Sequence, residues 1–281
     1  MNDTKHQLVT TTQIQAFQQD GAIRLQKVFD KEWLNTIARG IEKNLANPSQ
    51  YSESLDAGSG RFFNDYCNWQ RIPEYQEYIR QSPAAEIAAR LMGSAKAIFY
   101  HEHLLIKEPG NQSKTPWHQD QPYYPVDGRH VCSIWMPLDP VPVENSLQFV
   151  KGSHTLGPRF IPRKFATQKN YKLKSQVDHR STGFAQFETV PDDIDSRPDK
   201  YEILSWALDP GDCVVFYGAT LHGAAGNVSL NTSRRAFSTR WFGDDARFAE
   251  RPWELSPPFT GGLSAGEPMA CELFPLIWSQ A

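Results

Sequence analysis

The chain has 281 residues, with 29 Lys and Arg against 32 Asp and Glu, for a formal net charge of −3. Hydrophobic residues make up 40% and charged residues 22%, which excludes a membrane-embedded protein and long disorder, and the balanced charge gives a nucleic-acid partner no footing. An aromatic content of 12% with 20 prolines points to a strand-and-loop enzyme-like domain, large enough to need no disulfide staples.

The first residues, 1–12, are polar and lack an apolar run, so no secretory leader is read there, and no stretch is long enough for a membrane span. Thr12, followed three residues on by Gln15 and by Ile14, Ala16 and Phe17, predicts a capped helix. Asp30 predicts a second cap, before Trp33, Leu34, Ile37 and Ile41 at helical spacing. Ser82-Pro83 predicts a third helix carrying Ile87, Ala88 and Leu91 and ending at Gly93. On this reading residues 1–95 are mostly helical.

Strand signals then take over. Residues 97–107, 130–138, 147–150, 201–208, 213–217 and 236–242 are short, rich in β-branched and aromatic residues, and separated by Pro, Gly, Asn and Asp. Helices followed by many short strands predict a mainly β sandwich with helices packed on one side. The segment 155–200 is long and irregular, as functional loops often are. Residues 151–180 carry Lys151, Arg159, Arg163, Lys164, Lys169, Lys172, Lys174 and Arg180 against the single acid Asp178, followed by Glu188, Asp192, Asp193, Asp195 and Asp199. That pattern reads either as a solvated loop or as a lid over an anionic substrate. Cys67, Cys132, Cys213 and Cys271 form no paired motif and read as reduced thiols of a cytoplasmic protein.

The chemistry concentrates in Trp117-His118-Gln119-Asp120. On a strand, residues two apart face the same way, so His118 and Asp120 would present an imidazole and a carboxylate to one ion. His222, in a Gly-rich turn after the apolar run 213–217, is the best third ligand. Two histidines and one carboxylate leave coordination positions open, the arrangement of non-haem Fe(II) oxygenases. An arginine on a strand a dozen residues further on, Arg234 or Arg235, has the fork to hold a dicarboxylate co-substrate, and only one of the two can face the site. His101-Glu-His103 with Glu108 offers a competing metal set of cupin type. His154 reads as a structural turn residue.

Taken together, Trp117 to Asp120, Trp135 in Ser-Ile-Trp-Met-Pro-Leu-Asp, Lys151-Gly-Ser-His154, His222-Gly-Ala-Ala-Gly-Asn227 and Arg234-Arg-Ala resemble the phytanoyl-CoA dioxygenase family of Fe(II)- and 2-oxoglutarate-dependent oxygenases. The likeness runs over residues 8–278 and includes Asp20-Gly21 and the Lys107-Glu-Pro-Gly turn. It implies a double-stranded β-helix, or jelly roll, flanked by helices: one dioxygenase domain over 1–281, with a helical buttress at 1–95, the β core at 96–245 carrying the 155–200 insertion, and a C-terminal extension at 246–281.

The resemblance assigns iron to His118, Asp120 and His222, and 2-oxoglutarate to Arg234, Trp135 and His103, with O2 as oxidant. Gln119, Tyr123, Tyr124 and Arg163 are the candidate substrate-pocket residues, and Trp117 a further wall. The implied reaction is hydroxylation of a small molecule, with succinate and CO2 released, by a monomer or homodimer; the basic stretch 151–180 tilts the substrate towards an anionic compound. Asp120 argues against a halogenase, which needs that carboxylate absent. The departures are His103, where members often carry Gln or Met; Ala224, where some carry Ser; a turn variant at Glu144-Asn-Ser146; and one extra residue before Arg234, which keeps Arg235 as an alternative anchor. Outside this class, the chain reads as a cupin-type enzyme or a metal-binding jelly roll without catalysis.

Overall fold

The computed structural model describes residues 8–157, 159–165, 167–174 and 187–280. The elements run α1 (Thr11–Asp20), β1 (Ala22–Leu25), α2 (Lys31–Ala46), β2 (Glu53–Ala57), β3 (Gly60–Tyr66), α3 (Pro73–Gln81), α4 (Ala84–Met92), β4 (Lys96–Lys107) and β5 (Thr115–His118). Then come β6 (Val126–Asp127), β7 (Val131–Pro137), β8 (Leu147–Val150), β9 (Arg159–Phe160), β10 (Phe187–Glu188) and β11 (Ile203–Leu204). The last are β12 (Cys213–Tyr217), β13 (His222–Ala224), β14 (Arg234–Phe242), β15 (Arg247–Phe248) and β16 (Leu276–Ser279).

Two sheets make the core. The larger runs β1-β12-β7-β14-β4-β3-β2, with β16 also pairing β4; the smaller runs β11-β8-β13-β5. The pleat of the large sheet sorts its side chains. On β14, Arg235, Phe237, Thr239 and Trp241 alternate with Arg234, Ala236, Ser238 and Arg240. Phe237 and Trp241 join Leu104 and Ile106 of β4 and Ile134 and Met136 of β7 in a core closed by Ile37 and Ile41 of α2, Tyr75 and Tyr78 of α3, and Ile87 and Leu91 of α4. The helices therefore buttress one face of the large sheet, and the other parity of residues is left for the space between the sheets. This is the double-stranded β-helix expected from the sequence.

Local signals account for most of the elements and for the misreadings. Asp30 caps α2, accepting from the Glu32 and Trp33 amides, and Gly93 closes α4 with φ +71°. The capping box of α1 is formed by Thr10 and Gln13, two residues before the one expected at Thr12. The mostly helical reading of residues 1–95 overlooked β1, the hairpin β2–β3 and α3: the hairpin has only Phe62-Phe63 as an apolar run, and α3 begins at Pro73 with no side-chain cap. The expected strand at 201–208 shrinks to Ile203–Leu204, which pairs β8. Of the basic stretch, Asp178, Arg180 and His179 lie outside the described residues. Two of its other cations are spent locally, Lys151 on Glu202 and Arg159 on Asp127.

Candidate metal and 2-oxoglutarate site

A cavity of about 530 Å³ lies between the two sheets. Its large-sheet wall is the second parity of residues: His101, His103, Leu105 and Lys107 from β4, Trp135 from β7, and Arg234, Ser238 and Arg240 from β14. His118 and His222 face it from the small sheet, β5 pairing β13 with His118 opposite His222.

Asp120 is not on a strand. β5 ends at His118, and Asp120 has helical dihedrals at the start of a 3-10 turn over Gln121–Tyr123. The two-residue alternation expected for His118 and Asp120 is therefore not what joins them; the chain turns inward after His118. Asp120 Oδ1 ends 3.5 Å from His118 Nε2 and 3.6 Å from His222 Nε2. Among the described residues this is the one group of His, Cys, Asp and Glu side chains suited to hold an ion.

The donor set fits an iron(II) ion. Each imidazole engages a backbone carbonyl through Nδ1, His118 with Pro116 O at 2.8 Å and His222 with Thr220 O at 3.0 Å. With the proton on Nδ1, each Nε2 keeps its lone pair for a metal. Burial and the neighbouring His118 push His222 down to about 3, so it stays neutral. Burial raises the Asp120 carboxyl, but the Arg240 guanidinium outweighs this and holds it well below the usual carboxylate range.

The loops carrying the ligands are tied to one another. Gln119 donates through Nε2 to Ala219 O at 2.7 Å and accepts from the Phe160 amide at 2.9 Å. The Gln121 amide bonds Gly218 O, and Thr220 Oγ1 bonds Gly21 O. Gly21 holds φ +86°, and a Cβ there would fall 2.5 Å from His154 Nδ1, so this joint accepts only glycine. His154 itself meets Gln18 O and stacks on Tyr217, a structural role, though through a contact distant in sequence and not the turn bond expected.

The other expected site residues divide. Trp135, His103, Tyr123, Tyr124, Arg163 and Arg234 line the cavity. His103 is held by Asn64 Oδ1 at 3.0 Å, and Tyr123 Oη donates to Arg163 O at 2.6 Å. Two expectations are corrected. Gln119 does not line the cavity, because both ends of its amide are spent on the loop tie. Trp117 turns away, donating to Asp195 at 2.7 Å and packing beside Phe160 and Val150. The cupin-type set does not assemble either, since Glu108 pairs with Arg61 outside the cavity.

Arg234 and Arg235 are separated by the pleat. Arg235 reaches Asp139, with Nη2 2.7 Å from Oδ1. Arg234 is buried in the cavity wall, bonded to the Asn145 carbonyl, and burial pulls it down to about 10. Directly opposite it on β4 stands Lys107, also buried, donating to Ser113 O at 2.6 Å and Ala225 O at 3.0 Å. Among the described residues no carboxylate pairs with either side chain. A buried guanidinium beside a buried amine, with no acid to neutralise the guanidinium, fits the far carboxylate of 2-oxoglutarate. The sequence reading missed Lys107, Ser133 and Arg240. Lys107 stood in a turn already singled out, and Arg240 shares the parity of Arg234 six residues on.

Fold and site fit the class of iron(II)- and 2-oxoglutarate-dependent oxygenases. The phytanoyl-CoA dioxygenase family model matches residues 17–236, and the chain belongs to that family. It is 25% identical over 182 residues to a probable phytanoyl-CoA dioxygenase of Caenorhabditis elegans, covering 62% of this chain and 52% of the relative, so it spans about half that relative's length. Among crystal structures, the non-heme α-ketoglutarate-dependent carbocyclase SnoK of nogalamycin biosynthesis superposes with a TM-score of 0.70 at 23% identity over 96% of each chain. The epimerase SnoN in complex with Fe3+, α-ketoglutarate and nogalamycin RO gives 0.68 at 19% identity over 95% of this chain and 97% of that one. At these identities the structural likeness is one of fold. No helix among the described residues is long and apolar enough to cross a membrane.

Proposed function

We propose that the protein hydroxylates a small anionic molecule, with His118, Asp120 and His222 holding iron(II) and Arg234 anchoring 2-oxoglutarate. The observation that carries this reading is the meeting of Asp120 Oδ1 with both imidazole Nε2 atoms, within 3.6 Å, in the cavity that also holds the acid-free pair Arg234 and Lys107. Iron, 2-oxoglutarate and O2 supply the oxidising chemistry, releasing succinate and CO2 and leaving one oxygen atom for the substrate.

The chain's own residues bind, orient and exclude water. Arg234 and Lys107 receive the far carboxylate. Trp135 and His103, both registered with Ser238 between Arg234 and Arg240, line the middle of the same sheet wall, and Phe62, Tyr66, Phe165 and Tyr171 add aromatic wall that keeps water from the centre. Arg163, Lys164 and Lys172 outnumber Glu53 and Glu254 elsewhere on the lining, which favours a carboxylate- or phosphate-bearing substrate. Asp120, present and charged, occupies the position a halide would need.

The test is aerobic incubation of the iron-loaded protein with 2-oxoglutarate and a panel of small carboxylates and phosphate esters, read by mass spectrometry. Succinate formation coupled to a product one oxygen heavier supports the reading. A product of unchanged mass, or one lighter by two hydrogens, points to epimerisation or ring closure. Succinate in no case, with iron bound, leaves a metal-binding jelly roll.

A further inference from the structure

Asp120 lies in a turn, so no strand pleat fixes the rotation of its carboxylate, and the terminal torsion of an aspartate is broad. Yet its two oxygens keep different company. Oδ1 faces the two imidazoles, whereas Oδ2 accepts from Ser133 Oγ at 2.7 Å and lies 3.7 Å from Arg240 Nη2. Ser133 and Arg240 are not neighbours by accident of loop packing. They are registered partners on adjacent strands, β7 and β14, on the cavity face of the large sheet.

Arg240 is itself immobilised. Its Nε donates to Tyr124 Oη at 3.1 Å and its Nη1 to Ser238 O at 3.1 Å, which leaves the Nη2 edge for Asp120. Tyr124 follows Asp120 by four residues, so one planar guanidinium grips both ends of the same turn. A lysine offers a point charge and cannot make this fork. The sheet therefore presents a hydroxyl and a cation side by side to one oxygen of one carboxylate.

We propose that Ser133 and Arg240 are positioning residues: they hold Asp120 Oδ2 so that Oδ1 alone is offered to the ion. The inference rests on the reading of His118, Asp120 and His222 as the iron ligands. Its chemical consequence is a coordination position. A carboxylate bound through both oxygens takes two places, whereas one bound through a single oxygen, beside two imidazoles, leaves a full face open for co-substrate and oxygen.

Co(II), whose visible spectrum reports coordination number, is the probe, with binding measured by equilibrium dialysis and folding by circular dichroism. Ser133→Ala and Arg240→Gln are each expected to weaken Co(II) binding about 10- to 100-fold and to alter the spectrum. Ser133→Thr, which keeps the hydroxyl, retains the wild-type values, and Arg240→Lys does not rescue the spectrum. A folded Ser133→Ala protein with wild-type affinity and spectrum overturns the proposal; if Arg240→Gln does not fold, the Ser133 pair decides. Should His118→Ala bind Co(II) as wild type does, the ligand reading has failed. If His118→Ala alone loses binding, only the clamp has failed.

Discussion

His118 and His222 face each other as a registered cross-strand pair, with ring centroids 4.1 Å apart and each Nδ1 engaged by the carbonyl two residues before it. The same device thus sets the tautomer of both rings and turns both Nε2 atoms toward Asp120. Replacing either histidine by alanine is expected to abolish stoichiometric Fe(II) binding while leaving the far-ultraviolet circular dichroism unchanged, because the strands are held by backbone ladders. Dialysis against Fe(II) under anaerobic conditions checks it.

The pleat that separates Arg234 from Arg235 predicts unequal consequences. Arg234→Met is expected to weaken 2-oxoglutarate binding to the metal-loaded protein about 10- to 100-fold, as for lost bonds to a charged group. Arg235→Met loses a partly exposed pair with Asp139, worth about 0–1 kcal/mol to stability, and leaves co-substrate affinity intact. Anaerobic calorimetric titration separates the two.

Lys107 gives a pH dependence with a definite sign. Burial, and then Arg234, pull its folded-state pKa down to about 6, far below the ordinary lysine value of about 10.4. Between those values the unfolded chain binds more protons, so the Lys107 contribution makes the fold more stable as pH rises from about 6 towards about 10. Urea midpoints at about pH 6.5 and about pH 9 are expected to differ by less in Lys107→Met than in wild type.

Phe237 carries the helical buttress. It is fully buried, with ring centroids 4.5 Å from Tyr75 and 5.5 Å from Tyr78. Phe237→Ala is expected to cost about 3–5 kcal/mol in urea unfolding, the range for a large ring lost from a packed core. The residues that line the cavity belong to the opposite parity of β14, so the folded fraction retains metal binding.

What was legible in the sequence was local or carried by ordered motifs. The run 213–217 read as a strand is β12 as observed, and His118, Asp120, His222 and Arg234 all reach one cavity. What stayed hidden depends on register between distant segments. Ser133 and Arg240 acquire a purpose only when β7 pairs with β14, and nothing in the chain around Gln119 says that its amide spans two loops. Asp120 was expected on a strand because spacing of two is shared by a strand and by the end of a strand running into a turn. Thr10 and Thr12 both offered a cap, and the closing glutamine three residues on existed for each.

A cavity that binds iron(II) and 2-oxoglutarate together and turns them over must show both the complex and its oxidation. The most direct measurement is anaerobic titration of the iron-loaded protein with 2-oxoglutarate, followed by admission of O2 and assay of succinate. The expected result is a weak visible charge-transfer band that saturates with 2-oxoglutarate, is absent in His118→Ala, and gives way to succinate when oxygen enters. Wild-type protein with iron bound that develops neither band nor succinate would contradict it.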